Sequence, residues 1–298
     1  MSEAARRGIR SAQAGLVVNA MLVVTKLVAG LLGHSYALVV DAVESTTDIF
    51  SSLIVWSGLR IASRAADDAY PFGYGKAEPL AAAAVSLMLL GAAVGIAVKA
   101  VQELVTPHHA PAPFTLAVLS AVIVIKEILY RRVFTVAVAV GSTAVKADAW
   151  HHRSDAITSA AAFVGITVAL WGGPGWESAD DWAALAASAI IVYNGQRMLR
   201  PALHDLMDRT PAEGVVRRVA SAAASTDGVR AVEKLRVRRA GLGYYVDIHV
   251  QAEPTMSLSE AHILSGRVKG AIRSAVPAVS GVLVHMEPYE PLRGPAIS

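Results

Sequence analysis

The chain predicts an α-helical membrane protein: a bundle of six transmembrane helices followed by a small α+β domain, of order αββαβ, on the cytoplasmic side. Three observations carry this expectation. Hydrophobic residues fill 54% of the 298 positions and charged residues only 17%, too apolar for an ordinary soluble domain. The apolar residues gather in long runs within the first two-thirds, whereas the composition from about Arg209 onward is that of a soluble domain. Six of these runs are each long enough to cross about 30 Å of hydrocarbon. The expected domains are 1–208 for the spans, 209–290 for the cytoplasmic domain and 291–298 for a tail.

The six runs lie at approximately 12–33, 36–60, 79–104, 113–133, 142–171 and 179–200. The first is too long for the apolar core of a signal peptide and reads as a spanning helix. Arg6, Arg7 and Arg10 precede it; Arg60, Arg64 and Lys76 follow the second; Arg131, Arg132 and Lys146 separate the fourth from the fifth; Arg197, Arg200 and Arg209 follow the sixth. The alternate loops, 33–35, 105–112 and 172–178, carry no Lys or Arg. The positive-inside rule therefore places both termini in the cytoplasm, in a multi-pass protein of the cell (inner) membrane. Glycines at 15, 30, 91, 95 and 165, with abundant alanine, are expected at close helix approaches. Lys26, Lys99, Glu103, Lys126 and Glu127 read as anchors or ion pairs near span ends rather than as transport groups.

Beyond Arg209 the period changes. A helix is expected after Pro211, then strands over 229–239 and 244–253 joined at Gly241-Leu242-Gly243. Ser257-Leu258-Ser259-Glu260 is a capping-box pattern opening a helix to about Val276, and 279–286 is a last strand. Val246, Ile248 and Val250 alternate with Asp247, His249 and Gln251, so His249 lies on the polar face of its strand. His285 and Glu287 share one face of the last strand, Glu233 lies on the first strand, and His262 lies on the helix. From pattern alone this face is either solvated surface or a metal site assembled across the sheet.

Two pairs in the spans carry the chemistry. Glu44 and Asp48 lie four apart in the second run, and His151 and Asp155 lie four apart in the fifth. On a helix each pair points one way, one turn apart, and charged groups at membrane depth are costly unless they handle an ion. Two such clamps can converge on a divalent cation. There is no cysteine, which excludes thiolate metal sites, and the net charge of +3 requires no nucleic acid. No His-Glu-x-x-His or nucleophile–base pair occurs in the spans, so an enzyme is not expected.

The stretches 35–48 (Ser-Tyr-Ala-Leu-Val-Val-Asp-Ala-Val-Glu-Ser-Thr-Thr-Asp), 70–78 (Tyr-Pro-Phe-Gly-Tyr-Gly-Lys-Ala-Glu), 148–156 (Asp-Ala-Trp-His-His-Arg-Ser-Asp-Ala) and 281–288 (Gly-Val-Leu-Val-His-Met-Glu-Pro) together resemble the cation diffusion facilitator (cation efflux) family of divalent metal/proton antiporters. The resemblance covers nearly the whole chain and implies a six-span homodimer with a metallochaperone-like cytoplasmic domain. It implies a transport site of Glu44, Asp48, His151 and Asp155, with Glu44 a departure from the family's usual His or Asp. It implies a loop site at Asp67, whose histidine positions are Tyr70 and Tyr74 here, so that site is expected to be absent or weakened. It implies a cytoplasmic site of His249, His262, His285 and Glu287, with Glu233 where some members have His. It also implies an ionic contact between Lys76 and Asp208. One imidazole and three carboxylates suit Zn²⁺ and tolerate Fe²⁺, Mn²⁺, Co²⁺ or Cd²⁺, as substrate and as regulatory ligand. Because ligands bind metal only when deprotonated, metal and protons exchange, with His151 the proton carrier. The alternative expectation is a membrane assembly protein of the same fold with little transport, as in magnetosome-type relatives.

Overall fold

The computed structural model describes residues 3–32, 46–105, 115–172, 176 and 178–290. Two compact units result, 1–204 and 205–298.

The first unit holds six described helices: α1 (Glu3–Leu32), α2 (Thr46–Ala62), α3 (Ala77–Val105), α4 (Thr115–Val140), α5 (Thr143–Trp171) and α6 (Ala179–Leu206). Its solvent distribution is inverted. Asn19, Ser51, Ser52, Lys126, Asp148, His151 and His152 are buried, while Met21, Val24, Leu80, Leu87, Val94 and Val138 are each more than half exposed. Water would reward the opposite arrangement, and hydrocarbon rewards this one. By length and hydropathy alone, two described stretches qualify as spans, Arg6–Thr25 and Ala77–Gln102.

Helix ends differ from the sequence reading. Arg131 and Arg132 fall inside α4, not in a connection, because arginine is a good helix former and the apolar pattern resumes at Phe134. The break comes at Gly141, whose φ of +67° few other residues adopt, and Ser142 then caps α5, accepting from the Val145 amide at 3.1 Å. The α6 helix continues through Pro201 to Leu206. Of the glycines expected at close approaches, Gly15 meets neighbouring helices, a Cβ there standing 3.4 Å from His152 and 3.5 Å from Ser52, but Gly91 and Gly95 do not. A Cβ at Gly91 or Gly95 would meet no described atom within 4 Å, whereas one at Gly58 would overlap the Ala81 Cβ, so α2 and α3 touch at Gly58. The expectations on 33–45, 106–112 and 173–175, including Glu44, lie outside the described residues.

The second unit contains α7 (Glu213–Ala224), β1 (Ala231–Ala240), β2 (Gly243–Ala252), α8 (Leu258–Ala275) and β3 (Val279–Pro288). The sheet order is β1-β2-β3, with β1 antiparallel to β2 and β3 parallel to β2 across the α8 connection. Val246, Ile248 and Val250 are buried against Leu264, Val268 and Ile272 of α8 and Val219 of α7, so the helices cover one sheet face. The Ser257–Glu260 capping box is present in both directions, which explains why α8 starts where it does. A register shift between Val232 and Leu235 places Glu233 in a bulge at the open face.

Candidate metal sites

The α5 helix supplies half of the expected transport site. His151 and Asp155 follow one another by a single turn, His151 5% exposed and the Asp155 side chain 25% exposed. Asp48 lies in the first turn of α2, with its side chain, like Glu44, outside what the structure describes. Asp155 is joined by a residue that was expected elsewhere. Lys126 of α4 does not reach an end of its helix; its ammonium is buried and lies 2.9 Å from Asp155 Oδ2, while donating to Asn19 Oδ1 at 3.2 Å. Pattern reading missed this because Lys126 and Asp155 are 29 positions apart on separate helices.

A line of buried polar groups continues from there across four helices. The Asn19 amide donates to Ser52 at 3.3 Å, and the Ser52 hydroxyl donates to Asp148 Oδ1 at 3.5 Å. Asp148 Oδ2 lies 3.8 Å from His152 Nε2, with both side chains fully buried. Gly15 of α1 faces this cluster, and a Cβ there would stand 3.4 Å from His152 Nε2, at ordinary contact distance. Arg153 turns away, donating to the Tyr130 hydroxyl at 2.8 Å and stacking on the Tyr130 and Trp150 rings.

The start of α5 is pinned by a second buried charge. Glu78 of α3 is fully buried and accepts from the Ser142 hydroxyl at 2.7 Å, the Thr143 hydroxyl at 2.9 Å and the Ala144 amide at 2.9 Å. A carboxylate at a helix N-terminus satisfies amides that have no partner within the helix and meets the positive end of its dipole. Glu78 thus ties the helix carrying His151 and Asp155 to α3.

In the loop after α2, Asp67 serves the loop itself. It accepts from the Tyr74 hydroxyl at 2.7 Å and the Tyr70 amide at 2.8 Å, and these bonds, the Tyr74 one foremost, hold its carboxyl below the usual range. Tyr70 and Tyr74 pack with ring centroids 4.4 Å apart where a loop metal site would need nitrogen ligands.

In the second unit the parallel pairing of β2 and β3 sets His249 opposite His285 and Gln251 opposite Glu287 on the face the helices leave open. His249 Nδ1 lies 2.7 Å from Glu287 Oε1, His285 Nε2 lies 3.6 Å from the same oxygen, and the imidazole centroids are 4.7 Å apart. One ligand atom from each of the three can meet within 4.8 Å, a spacing a single ion can span. The hydrogen bond from His249, foremost, holds the Glu287 carboxyl below its ordinary value. Glu233 also accepts from the Gln251 amide at 3.5 Å. His262 does not join them: it is exposed on α8, the helix packed on the opposite face. Lys76 lies in the first unit and Asp208 in the second, where Arg238 donates to the Asp208 carboxylate at 3.3 Å.

Known proteins share this organisation. Residues 12–207 match the family model described as cation efflux transmembrane domain, and residues 211–289 match that described as cation efflux protein, cytoplasmic domain, named for a dimer. The chain is 31% identical over 280 residues to the cation-efflux pump FieF of Cronobacter sakazakii, covering 94% of this chain and 92% of that protein. It is 30% identical over 264 residues to magnetosome protein MamB of Magnetospirillum gryphiswaldense, covering 88% of each. It is 28% identical over 278 residues to the manganese efflux system protein MneP of Bacillus subtilis, covering 92% of this chain and 94% of that protein. A zinc form of a MamM CTD variant is 27% identical, covers 26% of this chain and 86% of its own, and has a TM-score of 0.26. With family models matching 12–207 and 211–289, this chain belongs to the cation diffusion facilitator family, the membrane proteins of divalent metal cation efflux.

Proposed function

We propose that the protein exports a divalent metal ion from the cytoplasm in exchange for protons, as a homodimer of six-span subunits in the cell membrane with both termini cytoplasmic. The observation that carries this reading is the placement of His151 and Asp155 one turn apart on α5, in a bundle whose inside is polar and whose outside is apolar. With Glu44 and Asp48 they complete one imidazole and three carboxylates, a set suited to Zn²⁺ and tolerant of Fe²⁺, Mn²⁺, Co²⁺ or Cd²⁺. Binding requires these groups deprotonated, so protons arriving from the far side expel the ion without any chemical step, and the chain acts as a carrier rather than an enzyme. His249, His285 and Glu287 form a cytoplasmic metal site that senses the exported ion.

Flux into proteoliposomes across Zn²⁺, Fe²⁺, Mn²⁺, Co²⁺ and Cd²⁺, with internal pH recorded, tests this. Export coupled to proton movement for at least one ion is expected, and no flux for any would remove the reading. A second reading, a membrane assembly role with little transport, draws on the 30% identity to a magnetosome protein and predicts that negative result.

A further inference from the structure

We propose that Lys126 is a resident cation of the transport site: its ammonium holds the carboxylate that the metal ion needs, and the ion binds against it. This rests on Asp155 being a ligand. The ammonium sits 2.9 Å from Asp155 Oδ2, with the Lys126 side chain 3% exposed and that of Asp155 25% exposed. The lysine is therefore enclosed while the carboxylate is open to an arriving ion. Asn19 of α1 holds the ammonium from the other side at 3.2 Å and is itself fixed on Ser52, so three helices define where this charge stands.

A metal ion lies about 2.1 Å from a carboxylate oxygen. An ion and this ammonium sharing Asp155 Oδ2 would stand at most about 5 Å apart, in surroundings where charges act more strongly than in water. Either Lys126 stays and repels the ion, or it withdraws and leaves its hydrogen bonds. Both outcomes weaken binding. Three carboxylates and an imidazole alone would hold a dication tightly, and a carrier that holds its cargo too tightly turns over slowly. Lys126 lowers affinity and speeds release.

The test measures Zn²⁺ flux in proteoliposomes at about pH 8, above the ordinary carboxylate and imidazole ranges, so that protons do not compete for the ligands. Lys126→Gln removes the charge and can keep hydrogen bonds to both Asn19 and Asp155, guarding against loss of fold; Lys126→Met removes both. Both are expected to lower KM about tenfold, equivalent to about 1.4 kcal/mol, and to lower the maximal rate with it. Lys126→Arg keeps the charge and is expected to keep KM within about twofold. A merely structural lysine would change the amount of folded protein and leave KM alone. An unchanged or raised KM in Lys126→Gln overturns the proposal. Asp155→Asn, measured alongside, separates the two ideas. Normal flux there removes the ligand assignment itself, whereas lost flux there with unchanged KM in Lys126→Gln removes only the role of Lys126.

Discussion

Replacing Glu78 with alanine is expected to destabilise the first unit more than any single ligand substitution. The side chain is fully buried and accepts from two hydroxyls and the Ala144 amide at 2.7–2.9 Å. Hydroxyls can rotate to other acceptors, but the Ala144 amide lies in the first turn of α5 and has no carbonyl within the helix to receive it. Leaving one buried donor unsatisfied costs about 1–3 kcal/mol, and a lost hydrogen bond to a charged acceptor about 1.5–3 kcal/mol. Removing the carboxylate also forfeits about 0.3–1 kcal/mol of its attraction to the helix end, more in a buried setting. These contributions overlap, so a total of about 4 kcal/mol is a fair expectation. At about 2–4 °C per kcal/mol for a unit of this size, the thermal midpoint should fall by roughly 8–16 °C. The measurement is thermal unfolding of the purified protein in detergent, followed by loss of the folded peak in size-exclusion chromatography. Glu78→Gln, which keeps shape and one acceptor oxygen, should fall by less than half as much. A midpoint within about 2 °C of the unaltered protein for Glu78→Ala would refute the claim that this carboxylate pins α5.

Asp155→Ala and Asp48→Ala should each abolish flux while leaving a folded dimer, since each removes one of four ligands; flux near the unaltered rate in either sinks the site. Glu44→His should shift competition fluxes toward Zn²⁺ over Mn²⁺, because nitrogen in place of oxygen favours the later metal; an unchanged ratio takes Glu44 out of the coordination set. The fragment 209–290 should bind Zn²⁺ by calorimetry, and His285→Ala should bind far more weakly; equal, negligible heats in both would make this face plain surface. Because Glu287 has a lowered pKa, it stays ionised to more acidic pH than a free glutamate and adds a binding contribution present above the ordinary carboxylate range. Binding should therefore not be lost through Glu287 within the ordinary carboxylate range, and calorimetry showing a loss that tracks an ordinary glutamate would refute this.

The sequence by itself determined what depends on near neighbours in the chain. The His151–Asp155 pair is legible because a helix repeats every 3.6 residues, and the Ser257–Glu260 capping box because both partners lie in one turn. The polar face bearing His249 is legible because strands alternate. That Tyr70 and Tyr74 stand at the histidine positions of the loop site was legible in the sequence, and the structure adds that Tyr74 hydrogen-bonds Asp67. Long-range partners were decided only by tertiary structure. The contact between His249 and Glu287 depends on the parallel register of strands separated by α8, and a one-residue slip would turn one of them to the other face. His262 shares the family's residue type, yet helix packing sets it on the opposite side from that cluster. Periodicity says which side of a helix is polar but not which helix that side meets. Hence Lys126 could be read as an anchor near a span end until the rotation of α4 against α5 brought it to Asp155, and Glu78 had no partner in view until α3 met the first turn of α5. In both cases a buried charge must find its partner or remain costly, and only the packed bundle determines which partner is within reach.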